Sequence, residues 1–299
     1  MTASLLVAGG VNVDVHLFGE RTVETEPEYA AADHIVAVGG KGANAARAAA
    51  SLGARVSIAA VVGDDPFGRE AVAALDTAGV DTTAVKCSSS AATGFAAIRL
   101  EGGRHHTLVF SPGANEELAP GDVERAAAVA PPDVVLAQAE VPEEVARWLA
   151  AARFPLVFDP CPTGRAFPDV LGGAIVVTPN RVEAAELTGV PEDAFDPWTA
   201  GAMLVERGAA AVAIKLGPEG TLLADAAGMT LVPTLQVAVR DETGAGDVFA
   251  AAVAIRIAEG VPLTAAVRFA GVASALSVRS RGVAFPSRVE VDEALQRLE

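Results

Sequence analysis

The chain has 299 residues, of which 51% are hydrophobic, and its formal net charge is −16 at pH 7. An acidic composition argues against nonspecific binding to nucleic acid, which needs a basic surface. No apolar run approaches the roughly 20 residues of a membrane-spanning helix, and residues 1–10 lack the basic start of a secretion signal, so we expect a soluble cytoplasmic protein.

The first buried strand is predicted at residues 5–10, where an apolar run ends in two glycines. Asn12 and Asp14 follow it, and ligands bind beyond the carboxyl ends of strands in an open parallel sheet. Side chains two apart on an extended segment point to the same side, so these two could hold two hydroxyl groups. Asn and Asp also form turns without any ligand, and this alternative is equally open.

A glycine-rich turn at Gly39–Asn44 leads into an alanine-rich helix, with Lys41 and Asn44 at its start. Lys41 is followed by glycine rather than Ser or Thr, which excludes a Walker A loop. The Gly-x-Gly-x-x-Ala pattern that begins at Gly40, with Asp64 about 20 residues on, also fits a dinucleotide fingerprint. An NAD-dependent oxidoreductase is therefore an alternative, although the fingerprint belongs after a first strand and Asp64 lies in a Gly-Asp-Asp-Pro loop. Close packing of an alanine helix would explain the glycines without a ligand.

Two segments depart from the pattern of the rest of the chain and predict a small sheet. Residues 15–38 hold short extended runs, and residues 94–110 hold two strands around a Glu-Gly-Gly-Arg turn, which is a hairpin signal. Such a sheet could serve as a lid on a single domain that spans residues 1–299. Its edge strands invite pairing with a second copy, so we also expect a homodimer through the lid.

From residue 131 onward, continuous apolar strands alternate with amphipathic helices, which predicts a parallel sheet covered on both faces. Glu140, the Asn180-x-x-Glu183 motif and the loop at 215–220 each follow a predicted strand and so lie at the ligand-binding edge. Each also has a structural explanation, since Asn180 can cap a helix, Glu183 can be a favourable first-turn charge, and the glycines can form a turn.

The central pattern is Asp241-Glu-Thr-Gly-Ala-Gly-Asp247, followed at once by an apolar run. A glycine-rich turn that opens a long helix leaves N–H groups unpaired at the positive end of the helix dipole, where they can hold an anion. Asp247 either caps this helix or takes a proton from a hydroxyl that attacks a phosphate held there. In so acidic a chain, a phosphate site needs local positive potential from helix starts, a few Lys or Arg side chains and a metal ion.

Over nearly the whole length, these motifs resemble the ribokinase or PfkB family of carbohydrate kinases. The resemblance depends on two signatures, Gly39-Gly-Lys-Gly-Ala-Asn44 and Asp241-x-x-Gly-Ala-Gly-Asp247, with support from Asn12-x-Asp14, Asn180-x-x-Glu183 and the loop at 215–220. It implies a Rossmann-like, three-layer α/β fold of the ribokinase type, with a mainly parallel sheet, helices on both faces and a small β-sheet lid. It also implies ATP-dependent phosphorylation of a primary hydroxyl.

The resemblance further implies a role for each matching residue. Asp247 is the base that takes the proton from the sugar hydroxyl, next to an anion hole formed by Gly244, Ala245 and Gly246. The residues implied to hold the sugar, besides Asp247, are Asn12, Asp14, Gly40, Lys41, Asn44 and Glu140. Those implied to bind the nucleotide and its phosphates are Asn180, Glu183, Lys215, Gly217 and Gly220, with Glu183 holding Mg²⁺ through water. A monovalent cation, K⁺, is implied to activate the enzyme from a site at Asp241, Thr243, Gly282 and Ser287.

Within the family, the Gly-Gly-Lys-Gly-Ala-Asn form and the segment Ser111–Asn115 are most similar to ribokinases, which implies D-ribose as the acceptor and ribose 5-phosphate as the product. Two departures keep other acceptors open, of the fructose, adenosine or pseudouridine type. The segment 18–34 lacks a Pro-Gly-Glu-Thr run, and Ala284-Phe285 adds one residue before Pro286-Ser287. A ligand-sensing protein without chemistry is disfavoured, because the base and the anion-hole glycines are both present. The two cysteines share no metal-ligand spacing, and we expect reduced thiols.

Overall fold

The structure, a computed structural model, describes residues 2–19, 31–101, 104–161, 164 and 167–298. In these residues the strands are β1 (Ser4–Ala8), β2 (Asn12–Gly19), β3 (Asp33–Gly39), β4 (Arg55–Ala59), β5 (Val61–Gly63), β6 (Val80–Asp81), β7 (Lys86–Ser88), β8 (Gly94–Glu101), β9 (Arg104–Ser111), β10 (Val134–Gln138), β11 (Leu156–Asp159), β12 (Val176–Val177), β13 (Ala211–Lys215), β14 (Thr221–Asp225) and β15 (Gly228–Val232). The helices are α1 (Lys41–Ser51), α2 (Pro66–Thr77), α3 (Pro120–Val129), α4 (Glu143–Ala151), α5 (Arg181–Thr188), α6 (Pro197–Glu206), α7 (Ala245–Ala258), α8 (Leu263–Ser277) and α9 (Arg288–Gln296).

The main sheet has the order β15-β14-β13-β12-β11-β10-β1-β4-β6. Its strands pair in parallel from β6 across to β13, and only β13–β14 and β14–β15 pair antiparallel. Alternate residues of β1 enter different cores, with Leu5 on one face and Leu6 on the other. The first face is covered by helices that include α1, α7 and α8, and the second by helices that include α4 and α6. This arrangement confirms the predicted three-layer α/β fold.

A separate four-stranded sheet has the order β3-β2-β8-β9, with β2 and β8 parallel and the other two pairs antiparallel. Its strands come from the two segments expected to form the lid, although residues 20–30 of the first segment lie outside the described residues. Asn12 and Asp14 belong to β2 itself, so they are strand residues of the small sheet rather than turn formers after β1. Both side chains are buried.

The sequence predicts a buried strand at 174–178, but in the structure β12 contains only Val176–Val177 and follows a 3₁₀ helix at Pro168–Gly173. α7 is buried from Asp247 through Ile255, and its alanines let neighbouring helices approach closely. Among the described residues, the structure contains no helix both long and apolar enough to cross a membrane.

Candidate active site

The start of α1 is pressed against the end of β1 by contacts that only glycine allows. Gly40 has a φ of 86°, and a Cβ atom there would lie 2.6 Å from the carbonyl oxygen of Gly10. A Cβ atom on Gly42 would lie 2.5 Å from the carbonyl carbon of Gly9. Close packing therefore requires these glycines, as expected if the turn needs no ligand. The same packing places Lys41 at the edge of the main sheet.

The first turn of α1 is already occupied by side chains from the end of β10. The Lys41 N–H donates to Glu140 Oε2 at 2.9 Å, and Gln138 Nε2 donates to the Lys41 carbonyl at 3.2 Å. Glu140 therefore fills the position at which the N-terminus of α1 would otherwise hold an anion.

Asp14 lies against the same turn from the side of the small sheet. A Cβ atom on Gly39 would come within 1.8 Å of Asp14 Oδ2, so the carboxylate occupies the space that this glycine leaves free. Burial raises the pKa of Asp14 to about 7, and the nearby carboxylates of Glu140 and Asp247 add to the increase. Residues from β2, α1 and the β10 end are thus brought together, as the sequence predicted.

The start of α7 has the same glycine geometry but remains open. Gly244 precedes the helix with a φ of 78°, and a Cβ atom there would lie 2.6 Å from Val283 Cγ1. Val248 is the first residue whose N–H reaches a helical acceptor, the Gly244 carbonyl at 3.0 Å. The N–H groups of Gly246 and Asp247 therefore have no acceptor within the helix and point outward from its positive end.

Asp247 does not cap α7, because the helix start has no side-chain cap. Its Oδ2 instead accepts a hydrogen bond of 3.0 Å from Asn44 Nδ2, which joins the starts of α7 and α1 across 203 residues of sequence. Burial raises the pKa of Asp247 to about 7, against the lowering effects of the Lys41 ammonium and the Asn44 hydrogen bond. A carboxylate with a pKa near neutrality is suited to accept a proton at physiological pH.

Lys41 carries the positive charge on this side of the cleft. Burial alone would lower the pKa of its ammonium, but the carboxylates of Asp247 and Glu140 oppose this effect, and the pKa is raised well above its ordinary value. The group therefore stays charged, close to the carboxylate of Asp247. Cys161 is a free thiol next to Lys41, and it stays neutral because burial raises its pKa.

Asn180 and Glu183 form a reciprocal capping box at the start of α5. Glu183 N–H donates to Asn180 Oδ1 at 2.9 Å, and Asn180 N–H donates to Glu183 Oε2 at 2.7 Å. Asn180 Nδ2 also donates to Glu183 Oε1 at 2.8 Å, so both Glu183 oxygens already accept hydrogen bonds. The structural explanation of this motif is correct, and Glu183 is nevertheless a buried carboxylate at the sheet edge.

Lys215 ends β13 and extends toward the start of α7. Its ammonium lies 2.8 Å from Asp159 Oδ2 and 4.0 Å from Glu183 Oε2. A Cβ atom on Gly246 would lie 3.3 Å from Lys215 Nζ, so the ammonium stands beside the open N–H groups of α7. Burial lowers the pKa of Lys215, but Asp159 and Glu183 outweigh burial and raise it, so the ammonium remains charged.

The loop after Lys215 turns on glycines that must adopt left-handed backbone. Gly217 has a φ of 61° and Gly220 a φ of 102°, and the short 3₁₀ turn between them joins β13 to β14. A Cβ atom on Gly220 would lie 2.3 Å from the carbonyl oxygen of Val232. The turn explanation of these glycines is therefore correct as well, and the loop lies at the same edge of the sheet as Lys215.

Asp159 is the main site residue that our sequence reasoning missed. It ends β11, its carboxylate is almost fully buried, and it accepts hydrogen bonds from Lys215 and from Thr178 Oγ1. Ligand atoms of Asp159, Cys161 and Glu183 lie within 4.8 Å of one another. The position at the carboxyl end of a parallel strand, the signal that identified Glu140, could have identified Asp159 too.

The loop before α7 is organised around Asp241. Its Oδ1 accepts from Thr243 N at 2.9 Å and from Thr243 Oγ1, and its Oδ2 accepts from Gly282 N at 2.9 Å. These hydrogen bonds keep the pKa of Asp241 below its ordinary value, although burial alone would raise it. Three of the four residues predicted to hold a monovalent cation are thus in contact. The fourth, Ser287, caps α9, where its Oγ accepts from Glu290 N at 3.3 Å.

The acidic residue of the dinucleotide fingerprint is not part of this site. Asp64 is exposed and forms a surface ion pair with Arg69. The glycine turn follows β3, a strand of the small sheet, instead of the first strand of the main sheet. A dinucleotide site needs this turn directly after the first strand of the main sheet, and it needs an acidic residue placed to bind the ribose of the dinucleotide. The glycine turn and Asp64 meet neither condition.

Comparisons with known proteins agree with this geometry. A family model described as "pfkB family carbohydrate kinase" matches residues 2–290. The chain is 32% identical to ribokinase of Bacillus subtilis over 98% of this chain and 99% of that protein, and 30% identical to deoxyribokinase of Salmonella typhi over 87% and 88%. The structure of Arabidopsis thaliana ribokinase complexed with ribose and ATP superimposes with a TM-score of 0.85 at 28% identity, covering 99% of each chain.

Proposed function

We propose that this chain, which belongs to the pfkB family of carbohydrate kinases, transfers the γ-phosphoryl group of ATP to the primary hydroxyl of D-ribose and forms ribose 5-phosphate. Membership in the family makes the chain a phosphotransferase that acts on a sugar hydroxyl, and it overturns the oxidoreductase alternative. Similarity to ribokinases supports ribose, and the comparable identity to a deoxyribokinase makes deoxyribose the first alternative. Fructose-, adenosine- and pseudouridine-type acceptors are further alternatives.

The observation that carries the proposal is the hydrogen bond between Asn44 and Asp247. It links a carboxylate whose pKa is raised to about 7 with the start of α1, beside the open start of α7, which supports Asp247 as the base. In the proposed reaction, Asp247 accepts the proton of the primary hydroxyl as its oxygen forms a bond to the γ-phosphorus. The bond between that phosphorus and the β,γ-bridging oxygen breaks, and ADP leaves with the electron pair.

Unpaired acceptors on the sugar side support a ligand rich in hydroxyl groups. Asp14 Oδ1 and Asn44 Oδ1 are buried, and neither has a hydrogen-bond partner within the described part of the chain. Buried acceptors without partners are costly, so a ligand that supplies O–H donors would satisfy them. We infer that Asn12, Asp14, Asn44 and Glu140 hold the sugar, with Gly40 and Lys41 shaping the turn beneath it.

The phosphate side is proposed to stabilise the charge of the transferred group. The turn at Gly244, Ala245 and Gly246 is the proposed anion hole, and its donors are the open N–H groups of Gly246 and Asp247, because the Ala245 N–H donates to the Glu242 carbonyl. The Lys215 ammonium adds a full positive charge beside it. Charge spread over the equatorial oxygens in the transition state is stabilised by donors that are already in place. Asn180, Gly217 and Gly220 are proposed to bind the nucleotide from the neighbouring loops.

The donor atoms present also fit the two cations that the family implies. The carboxylates of Asp159 and Glu183 are oxygen ligands of the kind Mg²⁺ prefers, and because both Glu183 oxygens already accept hydrogen bonds, contact through water suits this residue. When bound, Mg²⁺ would offset the charge of the triphosphate. The ionised Asp241 with Thr243, Gly282 and Ser287 is the proposed K⁺ site.

A homodimer through the lid remains a prediction. In its favour, the two edge strands of the small sheet expose large apolar side chains, Ile35 and Val36 on β3 and Leu108, Val109 and Phe110 on β9. Exposed apolar edge strands favour pairing with another chain.

The test of the proposed function is ADP release by the purified protein across ribose, deoxyribose, fructose, tagatose, adenosine, inosine and pseudouridine. We expect the highest kcat/KM with ribose. Highest activity with another acceptor would correct the substrate, and ADP release with none of them would support a ligand-sensing protein. The variant Asp64→Asn, which changes an exposed residue, should release ADP at the wild-type rate. A dinucleotide site would need the Asp64 carboxylate, whereas the proposed kinase site does not use it.

A further inference from the structure

Asn115 lies in the 3₁₀ turn at Gly113–Glu117 after β9, and its side chain is buried behind the sugar side of the cleft. Its carboxamide makes two hydrogen bonds to neighbouring residues. Asn115 Oδ1 accepts from the Val11 N–H at 2.9 Å, and Asn115 Nδ2 donates to Asn12 Oδ1 at 2.8 Å. The segment is held in place by the Ala114 N–H, which donates to the Ala92 carbonyl at 2.8 Å.

These two hydrogen bonds fix the orientation of the Asn115 side-chain amide and, through it, the orientation of the Asn12 side-chain amide. A backbone N–H can only donate, so the Val11 N–H requires the oxygen of Asn115 to face it. The Asn115 NH₂ group then faces Asn12, which in turn must present its own oxygen. The Asn12 oxygen is thereby occupied, and the Asn12 NH₂ group is left to face the cleft.

The surroundings leave no room for another arrangement. A Cβ atom on Gly94 would lie 2.1 Å from Asn12 Oδ1 and 2.4 Å from Asn115 Nδ2, so the backbone of β8 closes directly over this hydrogen bond.

We propose that Asn115 is a positioning residue that makes Asn12 a hydrogen-bond donor to an oxygen of the sugar. The inference rests on the proposed function, in which Asn12 contacts the acceptor. Asn12 then donates while the neighbouring Asp14 carboxylate accepts, so the pair selects a ligand with an acceptor oxygen next to a donor hydroxyl. A sugar with adjacent hydroxyl groups has this polarity.

The test is a double-mutant cycle with the acceptor that wild-type protein phosphorylates best. Asn115→Ala releases the Asn12 amide, and we expect the sugar KM to increase about tenfold, because one oriented hydrogen bond is lost, while the KM for ATP stays within about twofold. In the Asn12→Ala background, Asn115→Ala should leave the sugar KM unchanged. An equal KM increase in both backgrounds, or no increase in either, would overturn the proposal.

If Asn115→Ala does not fold, Asn115→Asp decides the question. An ionised carboxylate still accepts from the Val11 N–H but cannot donate to Asn12, whereas the protonated acid can donate. An aspartate carboxyl is ordinarily ionised at neutral pH, so we expect Asn115→Asp to raise the sugar KM about as much as Asn115→Ala would, while the KM for ATP stays within about twofold. A wild-type sugar KM in Asn115→Asp, or the same increase when it is added to Asn12→Ala, would contradict a positioning role. Loss of phosphorylation by the wild type itself would instead be a failure of the proposed function.

Discussion

The starts of α1 and α7 share one local design and differ in what occupies them. Both follow a glycine with positive φ, and both lie at the same edge of the main sheet. In α1 the Lys41 N–H already donates to Glu140 Oε2, whereas in α7 the N–H groups of Gly246 and Asp247 have no acceptor within the helix. A glycine-rich turn therefore does not by itself make an anion site, because a carboxylate 99 residues away decides whether the site is open.

The same difference extends to the charges. The carboxylates of Glu140 and Asp14 lie at the α1 start together with the Lys41 ammonium, and their oxygens suit hydroxyl donors. The Lys215 ammonium lies beside the open N–H groups of the α7 start, which suits phosphate oxygens. Asp247 stands between the two and is hydrogen-bonded to the α1 side through Asn44. The following predictions test this division between an alcohol side and a phosphate side.

The largest effect is expected for Asp247→Asn. An amide cannot take the proton of the hydroxyl, so we expect kcat to fall by about 10³-fold or more, while the Kd for ATP changes little. Steady-state ADP release and isothermal titration with ATP measure the two quantities. Asp64→Asn, an exposed Asp→Asn change, is the matched control. Turnover of Asp247→Asn close to wild type would remove Asp247 as the base.

A smaller loss is expected for Lys215→Met, which removes the positive charge beside the α7 start. We expect kcat to fall about 10- to 100-fold, since one preorganised group that stabilises the transition state is lost. The variant also leaves the buried carboxylate of Asp159 unpaired, so Asp159→Asn alone and combined with Lys215→Met are the controls. A further loss of kcat when Lys215→Met is added to Asp159→Asn supports a role at the phosphate. No further loss would show that Lys215 only neutralises Asp159.

The sequence predicted the fold and most of the residues that the structure brings together at this edge of the sheet, because its signals were local. Alternating strands and helices predict the layered sheet, and positions after strands identify Glu140, Asn180 and Lys215. It missed contacts between distant residues. Asp159 also ends a parallel strand, but no motif surrounds it, and it is the Lys215 ammonium 2.8 Å away that marks it as a site residue. Whether the N–H groups at a helix start already donate to a side chain also depends on residues far along the chain, which a local sequence pattern cannot predict.

Potassium should change the rate by several-fold, because the proposed cation site lies in the loop that holds the open start of α7. Asp241 fixes this loop through Thr243 and Gly282, and a cation there would strengthen the positive potential around the anion hole. We expect kcat to be higher in K⁺ than in Na⁺ at equal ionic strength. Asp241→Asn should abolish the difference. Equal rates in both salts for the wild type would contradict the assignment.

The smallest effect is expected for the pH dependence of kcat/KM, and it comes from Glu140 at the start of α1. The proposed mechanism requires ionised Asp247, whose pKa is raised to about 7, so we expect kcat/KM to fall as the pH decreases below about 7. Glu140 raises the pKa of both Asp247 and Asp14, and Glu140→Gln removes its charge while the Gln oxygen can still accept from the Lys41 N–H. The acid limb of the kcat/KM profile should therefore move to lower pH. A limb that stays in place or moves to higher pH would mean that Glu140 does not act on the base, and that the two helix starts are electrostatically independent.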